Sequence, residues 1–172
     1  MLSMNTIRMT TVELSELFVG ALGDHVVFTS DFEKKPLLMD IAIPQTVRLR
    51  VYLFNCTNPI GGRSPNELKF QLMVPGHKRG ARANFDYSDG RVVCVCGYIK
   101  WKNDPNSGVF AFCDPSFHLD FAFSTNVQIP LHVTMGAYSS SMCIGRKKNG
   151  ETIIAVTPSN LLSGLKKRIG LV

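Results

Sequence analysis

The chain has 172 residues, the size of one ordinary domain, with 45 % of them apolar and 19 % charged. That balance excludes a disordered, collagen-like or low-complexity protein, and a chain near this length buries roughly 70 % of its unfolded surface without staples. Nineteen Lys and Arg against thirteen Asp and Glu leave +6, an excess that favours an anionic partner.

In chain order, Val12, Leu14, Leu17, Phe18, Ala21 and Leu22 recur at helical spacing, behind Thr10 and Thr11 as N-caps and ahead of Gly23, which predicts a helix over Thr11–Leu22. A short strand follows at His25–Thr29, then a charged loop from Ser30 to Pro36, then an apolar stretch from Leu37 to Ile43. The clearest period of two is Thr46–Phe54, where Val47, Leu49, Val51 and Leu53 alternate with Arg48, Arg50, Tyr52 and Phe54; it predicts a strand with one buried face. Residues 55–66 are dense in turn formers, and alternation returns over Glu67–Val74, with Leu68, Phe70, Leu72 and Val74 on the apolar side. Two strands thus flank a long polar arm.

A second long loop runs from Pro75 to Gly90, before a strand at Arg91–Ile99. Val109–Cys113, Asn126–Ile129 and Glu151–Thr157 read as further short strands, Leu131–Tyr138 as a short helix, and Asn149-Gly150 as a hairpin-like turn. Pro158–Ile169 predicts a closing helix with Lys166, Lys167 and Arg168 in its last turn, where cations suit the helix dipole. About seven strands with helices chiefly at the ends argue for a mainly β, α+β domain, a mixed antiparallel sheet folded into a sandwich or barrel. A doubly wound parallel sheet is not expected, because the strands follow one another without crossover helices.

No apolar run approaches the roughly 18–20 residues that cross a bilayer, and residues 1–11 lack the parts of a signal peptide, so a cytoplasmic protein with no membrane partner is expected. The five cysteines, Cys56, Cys94, Cys96, Cys113 and Cys143, lack zinc-ligand spacing; Cys94 and Cys96 fall on one strand face among valines, as reduced core thiols do. No glycine loop of a nucleotide-binding type follows a strand, and neither a cofactor nor a metal is implied.

Three groups of side chains could carry chemistry. The arm and the strand start after it hold Asn55, Arg63, Asn66, Glu67 and Lys69, the guanidinium, amide, carboxylate and ammonium groups that read base edges and hold phosphates; the plain alternative is a solvated hairpin tip. His77, Lys78, Arg79 and Arg82, spaced by Gly76 and Gly80, form a basic loop suited to phosphates, or else a basic turn balancing Asp86 and Asp89; Lys34 and Lys35 pose the same choice. Glu67-x-Lys69 also matches half of a magnesium-dependent nuclease site, but no acidic residue on the preceding strand completes it. Trp101 between Lys100 and Lys102 is expected as a lid over the core, and His118 and His132 as satisfied core residues.

The run Leu49-Arg50-Val51-Tyr52-Leu53-Phe54-Asn55, the arm, then Gly62-Arg63-x-x-Asn66-Glu67-x-Lys69-x-Gln71, and the strand at Gly97 resemble the DNA-recognition domains of prokaryotic restriction endonucleases, which share the pseudobarrel of the plant B-three transcription factors. The resemblance spans Val27 to Val127 and implies an antiparallel open pseudobarrel of about seven strands that grips the major groove with two arms. The arms correspond to Ser30–Leu38, with Lys34 and Lys35, and to Asn55–Lys69. It further implies that residues 1–172 form a single sequence-specific domain for double-stranded DNA, without a catalytic centre of its own, belonging to a longer restriction enzyme whose fused nuclease domain is its other partner. The alternatives are a small magnesium-dependent nuclease using Glu67 and Lys69, and a protein-interaction barrel with a basic, soluble surface.

Overall fold

The computed structural model describes residues 5–58, 67–102, 104 and 108–171. In chain order the elements are α1 (Thr11–Leu22), β1 (Val26–Thr29), β2 (Leu37–Ala42), β3 (Thr46–Asn55), β4 (Glu67–Leu72), β5 (Arg82–Ala83), β6 (Val92–Ile99), β7 (Val109–Cys113), β8 (Phe121–Ala122), β9 (Thr125–Pro130), α2 (Leu131–Ser140), β10 (Met142–Arg146), β11 (Thr152–Val156) and α3 (Leu161–Arg168). Seven strands form an open mixed sheet in the order β1-β2-β3-β6-β7-β11-β10, and two short ribbons, β4–β9 and β5–β8, stand outside it. The mainly β class, the strand number and the open sheet agree with the expectation. Among the described residues no helix is long and apolar enough to cross a membrane.

Every described pairing in the sheet is antiparallel except the central one, where β3 runs parallel to β6 with Val51 opposite Cys94 and Leu53 opposite Cys96. A parallel partner requires a crossover. Here the crossover is not a helix: the chain leaves β3, returns through β4 outside the sheet and enters β6 from the same end, which the absence of helices concealed from the sequence. Buried parallel strands are covered on both faces, and so is β3. The expectation of one buried face fails there: Leu49, Val51 and Leu53 face one core, while Tyr52 and Phe54, expected at the surface, face a second.

The first core is closed by helices. Leu14, Phe18 and Leu22 of α1 and Leu161 and Leu165 of α3 pack on Leu37, Met39, Cys94, Cys96, Phe110 and Phe112. Thr10 caps α1 in a reciprocal box, its Oγ1 accepting from the Glu13 N–H at 3.1 Å while Glu13 Oε1 accepts from the Thr10 N–H at 3.2 Å, the arrangement that satisfies two otherwise orphaned donors. The second core is closed by the β4–β9 ribbon and α2. Leu68, Phe70, Leu72, Val127 and Ile129 turn inward on the strict alternation expected of β4, and Phe70 stacks on Phe54 with ring centroids 4.8 Å apart. A Cβ at residue 97 would stand 3.0 Å from Phe70 Cδ1 and 3.1 Å from Cys56 Cβ, so a side chain there would press on this stack. Trp101, 8 % exposed, covers the end of this core as expected.

The two buried charged side chains among the described residues, Arg50 and Glu151, are tied internally. Arg50, 4 % exposed, donates to the carbonyls of Asp86 at 2.7 Å and Ser88 at 2.9 Å and lies 3.5 Å from the carboxylates of both Asp86 and Asp89. The Asp86 carboxyl is held below its usual range, first by its hydrogen bonds to Ser88 and then by Arg50. Glu151, fully buried, accepts from His118 Nε2 at 2.7 Å, Lys147 Nζ at 3.1 Å and the Asp114 N–H at 3.1 Å. Burial alone pushes its carboxyl up, but the His118 and Lys147 contacts outweigh burial and hold it below the ordinary value. His118 is thus a satisfied histidine as expected. His132 is instead exposed at the start of α2, because its neighbours Val133 and Thr134 take the inward positions.

Cys56, Cys94, Cys96 and Cys113 are free and buried, and burial pushes each thiol up, Cys94 to about 12. A group whose folded pKa is raised contributes stability below its unfolded pKa, about 8.5 for a thiol, and loses it as pH climbs through the folded value. Lys35, lowered to about 8, acts with the opposite sign, as one group against four. The melting temperature of the reduced protein is therefore expected to fall steadily from about pH 8.5 upward; a flat or rising profile to pH ~10.5 would contradict the burial of the four thiols.

Candidate nucleic-acid interface

The outward face of the β4–β9 ribbon is polar. Alternation puts Lys69 and Gln71 outward on β4, and the register sets them directly opposite Gln128 and Asn126 of β9. Gln71, Asn126 and Gln128 are exposed, and Lys69 is half-buried. Among the described residues none of these four side chains makes a hydrogen bond or an ion pair, so one ammonium and three amides face outward on a rigid frame with their donors and acceptors unspent. A two-stranded ribbon is narrow enough for the major groove of a duplex, where amides and cations distinguish base pairs.

Three clefts surround this face. Along β9, a cleft of about 580 Å³ is walled by Asn126 and Gln128 on one side and by His132, Arg146 and Lys148 on the other. At the ribbon's end, one of about 600 Å³ lies among Gln71, Arg79, Arg82 and Phe123. Along β4, one of about 490 Å³ is bounded by Arg8, Lys35, Asn55 and Lys69.

The residues singled out from the sequence divide by role. Lys35, Asn55 and Lys69 come together in the third cleft. Lys35 does not reach into solvent as a free cation: its Nζ rests 4.0 Å above the Phe54 ring, and burial, reinforced by the Arg8 charge, lowers its ammonium to about 8. Lys34 is exposed in the turn between β1 and β2, where Ser15 Oγ donates to the Phe32 carbonyl and holds the turn against α1. Asn55 is occupied: Oδ1 accepts from the Met9 N–H at 2.7 Å and Nδ2 donates to the Met9 carbonyl at 2.8 Å, one more rung beyond the end of β3. Arg63 and Asn66 lie outside the described residues, as does the Glu67 side chain; the residue opposite Glu67 on β9 is Pro130, which adds no carboxylate to a nuclease site.

In the second basic loop, His77 is a bracket. Its Nε2–H donates to the Ala81 carbonyl at 2.7 Å and its ring meets Phe121 and Phe123 edge-on at 5.8 and 5.4 Å. Lys78, Arg79 and Arg82 stay exposed around it, Arg82 donating to the Asp120 carbonyl at 3.1 Å. Asp86 and Asp89, which this loop could have balanced, are taken by Arg50 instead.

Sequence reasoning missed Arg8, Asn126, Gln128, Arg146 and Lys148 as members of this surface. The polar positions of Asn126–Ile129 carried the signal for the amides, but nothing local reveals that β9 is the partner of β4. The run Arg146-Lys147-Lys148 is as basic as the His77 loop, yet only the fold brings it beside the ribbon.

A family model described as methylase-associated X1 matches residues 47–165, which takes in β3 through most of α3. The chain belongs to this family. Its description sets the methylase-associated X1 domain beside methylases, which bears out the restriction-modification setting of the sequence reading in its coarser form; it does not specify the B-three-like branch. No curated protein and no solved structure matches the chain.

The Asn55 clasp generates a prediction. Asn55→Ala leaves the Met9 N–H and carbonyl unpaired and should cost about 1–3 kcal/mol in denaturant unfolding, with faster proteolysis within residues 5–10. Unchanged stability together with weakened duplex binding would instead make Asn55 a base reader.

Proposed function

We propose that this methylase-associated domain binds double-stranded DNA in a sequence-dependent way within a restriction-modification system, with the β4–β9 ribbon as its reading element. The observation that carries the reading is the outward row Lys69, Gln71, Asn126 and Gln128, without side-chain partners among the described residues, on a ribbon whose inner face is locked into the core. The ribbon enters the major groove, and the surrounding cations, Arg8, Arg79, Arg82, Arg146 and Lys148, meet the phosphates on either side. The two-armed grip implied by the sequence resemblance is a finer form of this reading. Position comes from the phosphate contacts and sequence from the amides.

Two measurements test it. With about six phosphates neutralised, log K for a duplex should fall against log salt with a slope of about −5. Selection from random duplexes should return a preferred sequence, and Asn126→Ala with Gln128→Ala should cost about 1–3 kcal/mol on it while leaving random DNA nearly unchanged. Arg79→Gln with Arg82→Gln should weaken both alike. A slope near zero would sink the reading, and magnesium-dependent cleavage by the purified chain that vanishes in Glu67→Ala would put the nuclease in its place.

A further inference from the structure

The cleft along β4 shares a basic lining with the other two and differs in holding a half-buried cation, Lys35, that no acid pairs among the described residues. Arg8, Lys35 and Lys69 stand around it, and its described lining contains no carboxylate. None of the three forms an ion pair among the described residues, although the same fold pairs Arg50, Arg91, Lys147 and Arg168 with acids elsewhere. Like charges gathered without a counter-charge repel one another. Lys35 shows the cost directly: its ammonium lies over Phe54, and burial first, then the Arg8 charge, disfavours its charged form. A merely solubilising surface would let these side chains spread apart; here Phe54 fixes Lys35, and the register of β4 fixes the backbone of Lys69, while the bond from the Ile7 N–H to the Lys100 carbonyl fixes the segment that carries Arg8. An anion relieves the repulsion, and holding Lys35 and the backbone of the other two in place lowers the ordering cost of binding one.

Size and lining narrow the anion. About 490 Å³ is far more than one phosphate fills and lies within the range of small-ligand sites. Met73, 45 % exposed, and Gln71 line the same cleft and offer an apolar surface and an amide to a planar base. We propose that this cleft binds one nucleotide unit, its phosphate held among Arg8, Lys35 and Lys69 and its sugar and base toward Met73 and Gln71. The unit comes either as a free nucleoside monophosphate or as one nucleotide of a DNA strand. This goes beyond duplex reading, because it requires no base pair and stands even if the ribbon reads nothing.

Calorimetric titration of the whole chain at low salt tests it, using inorganic phosphate, the four deoxynucleoside 5′-monophosphates and the matching deoxynucleosides. The monophosphates should bind, and the deoxynucleosides should bind at least about tenfold more weakly, the loss of a charge-assisted contact. Arg8→Gln and Lys35→Gln should each weaken the monophosphates by about the same factor, with Lys167→Gln, an exposed cation of α3 outside the three clefts, leaving them unchanged. Because Lys35 is half-buried, the exposed Arg8 variant keeps the test valid should Lys35→Gln unfold. Competition by a short single-stranded oligonucleotide assigns the site to a unit of a strand, and its absence to free nucleotides. Monophosphates that fail to bind, or that bind equally to Arg8→Gln and wild type, would overturn the proposal; duplex binding that survives either result would leave the ribbon reading intact.

Discussion

Pairing β3 in parallel with β6 is the constraint from which the rest of the molecule follows. Two parallel strands in contact oblige the chain between them to return outside the sheet, and its described part packs Leu68, Phe70, Leu72 and Phe85 onto one face. That detour supplies β4, the loop around His77 and the Arg50-bound turn at Asp86–Asp89. It leaves the opposite face to α1 and α3. A helical crossover would have covered the same core, but it would have presented a convex helix where this chain presents a flat, polar two-stranded ribbon.

The charge balance has a geography. The acids that form ion pairs do so within the frame: Asp86 and Asp89 with Arg50, Asp40 with Arg91, Asp114 with Arg168, and Glu151 with Lys147 and His118. These contacts close loops and anchor strand ends, and the buried ones are retained because removing one partner would strand the other's charge. Each of these pairs uses a cation as well as an acid; outside them, Arg8, Lys69, Arg79, Arg82, Arg146 and Lys148 stand around the ribbon.

What could be read from the sequence was what is local. The Thr10 cap, the stop at Gly23 and the apolar spacing between them define α1 to the residue, and the alternation over Glu67–Val74 assigned the inward side of β4 correctly. The failures concern neighbours. Tyr52 and Phe54 looked outward because a period of two says which residues share a face and not what covers it. β10 went unread because Met142–Arg146 is an edge strand whose pattern is interrupted by Gly145 and leaves Ile144 52 % exposed. Asn55, picked out for base recognition, is spent on Met9, a contact set by a segment distant in the chain.

The ribbon joins residues from opposite halves of the chain, Leu68 with Ile129 and Phe70 with Val127, through short strands. Closing so long a loop costs entropy that a six-residue ladder does not repay, so the ribbon owes its existence to the sheet beneath it. The outward amides have no reserve of stability apart from that of the whole domain. Substitutions remote from them, such as one beneath α3, will act on the proposed recognition through the fraction of chains that are folded, so the sequence positions that sustain the ribbon are far more numerous than those on its outward face.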